Sequence, residues 1–369
     1  MIQRLYVHNY RCLENFELVT RDLPAVLLFG ENGTGKSSVR FALTKLQQIG
    51  RGINRVGKLF APEDFSRGRA DVPIRIEMDA AISGRAYKYS LALEFPPKFK
   101  ELRVYEEKLT VGAQPIYSRS QAQVTVHANS EGGEAKFLID WHLVALPVIQ
   151  VRSEPDDLSI FKRWLAQMII LAPIPALMTG DSADSTLEPE IDGADFGEWF
   201  SGLLGSKPAA YSHVEKYLRD VMPDFKDIEH IQIGPNVKRM SLSFEKDHAD
   251  MRIAFTELSD GEKCFLLGAV VLAANKAYGP LFCFWDEPDN FLSISEVGRF
   301  VTELRSVFHE AGQLIVTSHN PEAILRFSDD NTFVLHRKSH FEPALLTKLE
   351  DIKLQGNLAE ALISGDVIP

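Results

Sequence analysis

One eight-residue segment constrains the fold of this chain more than any other: Gly30-Glu31-Asn32-Gly33-Thr34-Gly35-Lys36-Ser37. It fits the pattern GxxxxGK[ST], whose backbone N–H groups turn inward around a phosphate while the lysine reaches the outer phosphate oxygens and the serine ligates Mg²⁺. A buried-type apolar run, Ala25–Phe29, precedes it, and apolar residues recur at helical spacing from Val39 to Leu46. A strand, a loop and a helix are therefore predicted, with Ser38 and the loop residues contacting a nucleotide.

Two acidic residues follow a second apolar run, Leu281–Trp285. Such a run predicts a buried parallel strand, and the ligands of open α/β sheets lie at the carboxyl ends of the strands. We expect Asp286 to hold Mg²⁺ through water and Glu287 to polarise an attacking water as general base. A solvated strand end has the same pattern, so this pair carries weight only together with the loop upstream.

Two further motifs carry polar groups next to apolar runs. The segment Leu258-Ser259-Asp260-Gly261-Glu262-Lys263 precedes an apolar helix, and a helix N-terminus with a serine and bare amides binds anions. The alternative is structural, with Ser259 capping the helix and Glu262 completing a capping box. The fourth motif is an apolar strand that ends in Thr317-Ser318-His319, where the histidine is either a phosphate contact or a structural residue.

Composition limits the function classes. The net charge of −11 argues against a nucleic-acid-binding surface over the whole protein, although residues 1–60 hold nine Lys and Arg against four acids, and residues 153–200 hold ten acids against two basic residues. The cluster Arg51, Arg55 and Lys58 is the candidate DNA or partner surface. The three cysteines lack metal-binding spacing. Because no signal peptide opens the chain and no apolar run is long enough to span a membrane, we expect a cytoplasmic protein without a membrane partner.

The coarse pattern along the chain predicts an α/β fold. An antiparallel sheet is expected from strands at Ile74–Met78, Tyr87–Leu93, Val104–Glu106 and Leu109–Val111. Helical stripes dominate residues 160–225, and helices and strands alternate over 256–336. We predict a mixed sheet carrying the loop, an antiparallel β subdomain and a helical insertion. The corresponding parts are an N-terminal lobe (1–150), the helical insertion (151–230) and a C-terminal lobe (231–369).

The order of the four motifs resembles that of the ABC-class ATPases. More narrowly, the chain resembles their RecF-like and SMC-like branch, which includes the ATPase parts of overcoming-lysogenization-defect nucleases and of antiphage systems. The resemblance covers essentially the whole chain and extends to the segments Val7–Leu13, Tyr87–Leu93, Glu106–Leu109 and Ser339–Pro343. It implies an ABC-type ATPase head that binds ATP and Mg²⁺ and hydrolyses ATP.

The resemblance also implies a homodimer, because two heads of this family enclose two ATP molecules. The signature residues Ser259, Gly261 and Glu262 of one chain would then close on the γ-phosphate that Lys36 of the other chain binds.

The remaining site residues are likewise carried over from the family. Glu287 is expected to be the base and His319 the switch that contacts the γ-phosphate. Asn9 and Arg11 match the family's opening strand and turn, so Arg11 is expected to contact phosphate or adenine. The segment 289–293 matches the loop that crosses the dimer, although its sequence departs from the commoner type and leaves its contacts open.

One family residue has no clear match. These ATPases usually present a metal-contacting glutamine between the loop helix and the signature, but residues 51–120 contain only Gln114, on an apparent late strand. Asp64, Glu63 and Gln150 are the other candidates, and the assignment stays open.

The lengths of two segments help to distinguish the possible functions. About 220 residues without heptads lie between Lys36 and Ser259, too few for long coiled coils. About 50 residues follow His319, too few for a metal-dependent nuclease domain. The leading hypothesis is an ATPase that regulates a separately encoded effector, a nuclease or toxin, in antiphage defence. The alternative is a RecF-like DNA-binding ATPase of repair or recombination, and a transporter ATPase is the weakest reading.

Overall fold

A computed structural model describes residues 1–127, 133–150, 156–247, 249–327 and 329–352 of the protein. Within these ranges, three β-sheets and the helices around them bury two hydrophobic cores. The helices are α1 (Lys36–Gly50), α2 (Val56–Leu59), α3 (Ala145–Val148), α4 (Asp157–Ala166), α5 (Phe196–Ser206), α6 (Ala210–Val221), α7 (Asp260–Tyr278), α8 (Ile294–Glu310) and α9 (Pro321–Leu325).

The central sheet carries the motifs. It has six strands, which are, in spatial order, β10 (Ile169–Leu171), β15 (Phe282–Asp286), β16 (Gln313–Ser318), β3 (Ala25–Phe29), β17 (Thr332–His336) and β18 (Leu345–Lys348). All neighbours pair in parallel except β17 and β18. Side chains of β3 and β15 alternate between the two cores, one on each face of the sheet. This double burial explains why both strands appear in the sequence as continuous apolar runs.

An eight-stranded antiparallel sheet packs on one side of the central sheet and contains most of the N-terminal half. Its strands, in spatial order, are β2 (Phe16–Val19), β1 (Ile2–His8), β4 (Ile74–Ile82), β5 (Arg85–Glu94), β6 (Arg103–Val111), β7 (Gln114–Ser120), β8 (Gln123–His127) and β9 (Glu134–Leu138). The prediction of two strands at 104–106 and 109–111 was wrong, because both segments belong to β6.

One of the three consecutive charged residues that interrupt the apolar pattern of β6 is buried. Glu107 is 0 % exposed, and its carboxylate accepts hydrogen bonds from the Tyr89 and Tyr117 hydroxyls and from the N–H groups of Ala145 and Leu146. These donors satisfy a carboxylate that would otherwise be costly to bury. A charged residue in a strand thus marks a buried polar cluster here, not a strand end.

The segment predicted as a helical insertion is mixed. It contains α4, α5 and α6, but also β10 and β11 (Asp181–Ser182), and its residues 151–155 lie outside the described ranges. The helical stripe of α4 runs on into Met168 and Ile169, but Ile169–Leu171 pairs in parallel with β15. Pairing with the central sheet overrides the helical period. The division of the chain at residues 150 and 230 remains a prediction.

The third sheet is small. Its strand β13 (Lys238–Lys246) pairs with β11, with β12 (Phe225–Gln232) and with β14 (Ala249–Ala254), always antiparallel. The predicted alternation over 256–336 is confirmed as α7, β15, α8, β16, α9 and β17. The α/β fold class, with a mixed sheet beside an antiparallel one, is also confirmed. Because β3, β15 and β16 are parallel, the residues that follow them meet at one edge of the central sheet.

Candidate functional site

A cleft of about 350 Å³ opens at this edge. Most of the predicted phosphate-loop residues line it, together with residues from the first turn of α1, from the end of β15 and from the turns after β1 and β17. The lining consists of Arg11, Cys12, Asn32, Gly33, Gly35, Lys36, Ser37, Ser38, Phe41, Glu287 and Arg337.

Glycine is required at two positions of the loop. Gly35 has φ 115°, and a Cβ there would lie 2.9 Å from the Cys12 Sγ. A Cβ at Gly30 would lie 2.4 Å from the backbone oxygen of Leu335 in β17. Both distances are shorter than packed atoms allow, so the loop can lie against its neighbours only without these side chains.

Lys36 is held over its own loop. Its Nζ donates hydrogen bonds to the backbone oxygens of Gly30 (2.6 Å) and Glu31 (3.1 Å), and the side chain is 6 % exposed. Burial lowers the pKa of Lys36, and the nearby carboxylates of Glu287 and Asp286 oppose that shift. The ammonium is therefore held against the loop and lines the cleft, where it can contact a bound phosphate.

Asp286 lies between α1 and β16. Its Oδ1 accepts a hydrogen bond from the Thr317 Oγ1 (2.5 Å), and its Oδ2 lies 3.4 Å from the Ser37 Oγ and 3.1 Å from the Arg40 Nε. A serine hydroxyl beside one carboxylate, next to a phosphate cradle, is the donor set with which proteins hold Mg²⁺, the nucleotide and water supplying the remaining ligands. These residues therefore fit the metal that the sequence implies.

Glu287 lies close to residues of two other motifs, Lys36 of the phosphate loop and His319 after β16. Its carboxylate lies 3.9 Å from the Lys36 Nζ and 3.4 Å from the His319 Nδ1, and Oε2 accepts a hydrogen bond from the Asn290 Nδ2 (2.7 Å). Its backbone is left-handed, with φ 50°, and its N–H donates to Thr317. Non-glycine residues adopt this conformation where the surroundings impose it, often at functional sites. The turn aims the carboxylate at the cleft.

A second acid, Asp289, is buried in the segment that follows the turn at Glu287. Asp289 is 5 % exposed, and its Oδ2 accepts a hydrogen bond from the Ser318 Oγ (2.8 Å). Burial raises the pKa of Asp289. This bond joins the segment after β15 to the residue that precedes His319, so a buried hydrogen bond connects the two motifs.

Replacing Asp289 with asparagine is expected to change the pH dependence of stability. Since the folded state raises the pKa of this acid, it binds the proton more tightly than the unfolded chain does, and stability is lost as pH rises through the raised pKa. Asparagine does not ionise. Denaturant unfolding measured at increasing pH, starting below the unfolded pKa of 3.8, should therefore show the variant becoming more stable relative to the wild type, by about 1 kcal/mol. A difference that is independent of pH would contradict this assignment.

The structure does not bring the signature to the cleft of its own chain. Ser259 caps α7: its Oγ donates to the Glu262 Oε2 (2.7 Å) and accepts from the Glu262 N–H (3.3 Å), so the predicted capping box is confirmed. A Cβ at Gly261 would lie 3.1 Å from the backbone oxygen of Phe291. The signature thus lies against the segment 289–293, and neither Ser259, Gly261 nor Glu262 lines the cleft.

The two residues of the opening turn differ in position. Arg11 lines the cleft, pairs with Asp64 (Nε to Oδ1, 3.1 Å) and lies over the Phe41 ring at 4.0 Å. Asn9 is 0 % exposed, and its amide donates to the backbone oxygens of Arg69 and Val72. The side chain of Asn9 therefore holds the chain at residues 69–72, whereas the contact of Arg11 with phosphate or adenine stays a prediction.

Among the four candidates for the missing glutamine, Asp64 contacts a cleft residue, namely Arg11. Gln114 begins β7 and pairs with Val111 in the antiparallel sheet, as its late-strand pattern predicted. Gln150 and Glu63 are exposed. The assignment stays open, with Asp64 the nearest to the cleft through its ion pair.

The predicted basic surface is largely neutralised. Arg51 lies 3.4 Å from Glu188 and donates to the backbone oxygen of Ala166, and burial lowers its pKa. Arg55 pairs with Glu101 at 2.8 Å. Counting basic residues along the sequence overestimated this patch, because the acids that pair with them come from distant segments.

Several residues around the cleft were not predicted from the sequence, among them Cys12 in its lining. Arg40 faces Asp286, Asn290 holds Glu287, and Phe41 and Arg337 line the walls. The signal for Arg40 was its position one turn after Lys36 on α1, which puts both side chains on one face. Nothing local marks Arg337, which reaches the cleft only because β17 lies beside β3.

Comparisons with known proteins found one matching family and solved structures of similar fold. Residues 179–325 match the family described as "AAA domain, putative AbiEii toxin, Type IV TA system", a range that includes the signature, the Asp286–Glu287 pair and His319. A search of curated proteins found no match. Within the described ranges, every helix is too short or too polar to cross a bilayer.

Two solved structures have the same fold over nearly their whole length. The SmcHead bound to the C-winged helix domain of ScpA aligns with a TM-score of 0.56 and 14% identity, covering 95% of this chain and 98% of that one. The Smc head domain with an extended coiled coil, bound to the C-terminal domain of ScpA derived from Pyrococcus furiosus, aligns with a TM-score of 0.50 and 14% identity, covering 95% and 97%. These likenesses show that the chain has the fold of Smc head domains, and the family match covers residues 179–325 of it.

Proposed function

We propose that the protein binds ATP with Mg²⁺ at the cleft and hydrolyses it. The observation that carries this proposal is the position of the Glu287 carboxylate, 3.9 Å from the Lys36 Nζ and 3.4 Å from the His319 Nδ1. Lys36 and the loop amides bind the phosphates, Glu287 accepts a proton from the attacking water, and His319 contacts the γ-phosphate. Asn290 orients Glu287 by its hydrogen bond to Oε2.

Ser37 and Asp286 are the residues that would hold Mg²⁺. Bound there, the metal neutralises charge on the β- and γ-phosphates. The Thr317 hydroxyl donates a hydrogen bond to Oδ1 of Asp286 and accepts one from the backbone N–H of Glu287, so one hydroxyl positions both acids.

We further propose a homodimer in which each signature completes the partner's site. The position of Ser259 and Gly261, against segment 289–293 and away from the cleft of their own chain, supports this arrangement. Regulation of a separately encoded nuclease or toxin in antiphage defence, in the cytoplasm, remains our proposal for its role. The description of the matching family, which names a putative toxin of a type IV TA system, is compatible with that setting.

The alternative role, a RecF-like DNA-binding ATPase, depended on the cluster Arg51, Arg55 and Lys58. Since the first two arginines pair with carboxylates, the cluster lends this alternative no support.

Replacing Lys36 with methionine is expected to weaken ATP binding by about a hundredfold, because the buried ammonium is hydrogen-bonded to the loop that would hold the phosphates. Titration with a fluorescent ATP analogue measures the loss. Lys58→Met, an exposed lysine on α2, is the matched control and should bind ATP normally. Equal affinity of the Lys36 variant and the wild type would contradict the proposed site.

A further inference from the structure

Arg40 is a charged residue that the ATPase motifs do not account for. It lies on α1 one turn after Lys36, and its Nε is 3.1 Å from the Asp286 Oδ2. Both side chains are mostly buried, with 17% of Arg40 and 10% of Asp286 exposed. In such surroundings an ion pair is screened less by water and salt than one on the surface.

The arginine occupies the side of Asp286 that the metal needs. Oδ1 of Asp286 accepts the Thr317 hydroxyl, which leaves Oδ2 to face Ser37 and the guanidinium. A Mg²⁺ ion held between Ser37 and Asp286 must approach this same oxygen, directly or through a water. Two cations that compete for one carboxylate oxygen repel each other strongly at this distance.

The contact between Arg40 and Asp286 can be broken without the loss of a hydrogen bond from the Arg40 Nε. Within the described part of the chain, the buried Nε of Arg40 makes no hydrogen bond, so charge alone holds it at Asp286. The guanidinium also lies 4.8 Å from the centre of the Phe41 ring, a wall of the cleft where a cation can remain after it leaves the carboxylate.

We propose that Arg40 is a counter-ion that neutralises Asp286 in the nucleotide-free protein and that Mg²⁺ displaces when it enters with the nucleotide. Arg40 is thus a positioning residue that sets how much Mg²⁺ the site requires. The proposal rests on the nucleotide site proposed above and assigns that site a built-in competitor of its metal.

The first test replaces Arg40 with methionine and measures metal requirement rather than turnover. Binding of a fluorescent ATP analogue is titrated with Mg²⁺, and bound Mn²⁺ is counted by electron paramagnetic resonance. The half-saturating metal concentration is expected to fall by about fivefold or more, because the competing charge is gone. Arg51→Met, which removes a buried arginine at the other end of α1, should leave it unchanged. An unchanged or raised metal requirement in the Arg40 variant overturns the proposal.

A second test needs no nucleotide. Thermal unfolding is compared for the wild type, R40M, D286N and the double variant, all without metal. If the ion pair exists, R40M lowers Tm by a few degrees in the wild-type background but not in the D286N background. Equal effects in both backgrounds overturn the proposal. A wild type that shows this coupling but binds no ATP analogue would instead refute the proposed function alone.

Discussion

Replacing Glu287 with glutamine is expected to lower ATP turnover by about a thousandfold while ATP binding stays within about twofold. Glutamine has nearly the shape of glutamate and can still accept the Asn290 hydrogen bond, but its amide cannot take a proton from water. The two effects separate because Glu287 is a neighbour of the phosphate cradle and not part of it: Lys36 and the loop amides bind without it.

Rapid-quench measurement of a single turnover, together with equilibrium binding of the ATP analogue, checks this prediction. Glu310→Gln, at the exposed end of α8, is the matched control and should hydrolyse ATP normally. Normal hydrolysis by the Glu287 variant would show that another group activates the water. Loss of binding and turnover together would show that the substitution had disturbed the loop, since Glu287 is 3.9 Å from Lys36.

The motifs were predictable because each is local. A phosphate loop needs only a strand, glycines and a helix in sequence, and the acids after β15 follow a run that is apolar on both faces. Helix capping by Ser259 and Glu262 was equally local and was predicted from three residues of spacing. In these cases the residues that decide the structure are neighbours in the chain.

The rest depends on contacts between distant segments. Asp286 contacts Arg40 because β15 ends beside the first turns of α1, and the Asn9 amide donates to backbone oxygens at residues 69 and 72. The short strand β10 continues the helical stripe of α4 and is recognisable only by its pairing with β15. The hydrophobic period of a single segment carries no information about contacts with distant segments, so the sequence pattern could not predict these contacts.

The signature poses a different question, because Ser259, Gly261 and Glu262 do not line the cleft of their own chain. Ser259 and Glu262 hydrogen-bond each other, and α7 begins against segment 289–293. Phe291 in that segment and Ile294, the next residue after it, are exposed apolar residues. Exposed apolar side chains beside a helix N-terminus suit a surface that a second copy of the chain covers. If so, two inactive variants should repair each other.

Mixing Lys36→Ala with Ser259→Arg is expected to restore ATP turnover that neither variant has alone. In a mixed dimer, one site combines the intact Lys36 of one chain with the intact Ser259 of its partner, whereas the other site lacks both. Random pairing makes half of the dimers mixed, each with one complete site, so the mixture should reach about a quarter of wild-type turnover.

The measurement is ATPase activity against mixing ratio, with the maximum at equal amounts. Each variant mixed with itself is the control, and thermal unfolding confirms that the arginine at the cap leaves α7 folded. If the mixture stays inactive although the variants exchange subunits, the signature does not act across the dimer, and Ser259 is only the cap that its bonds to Glu262 show.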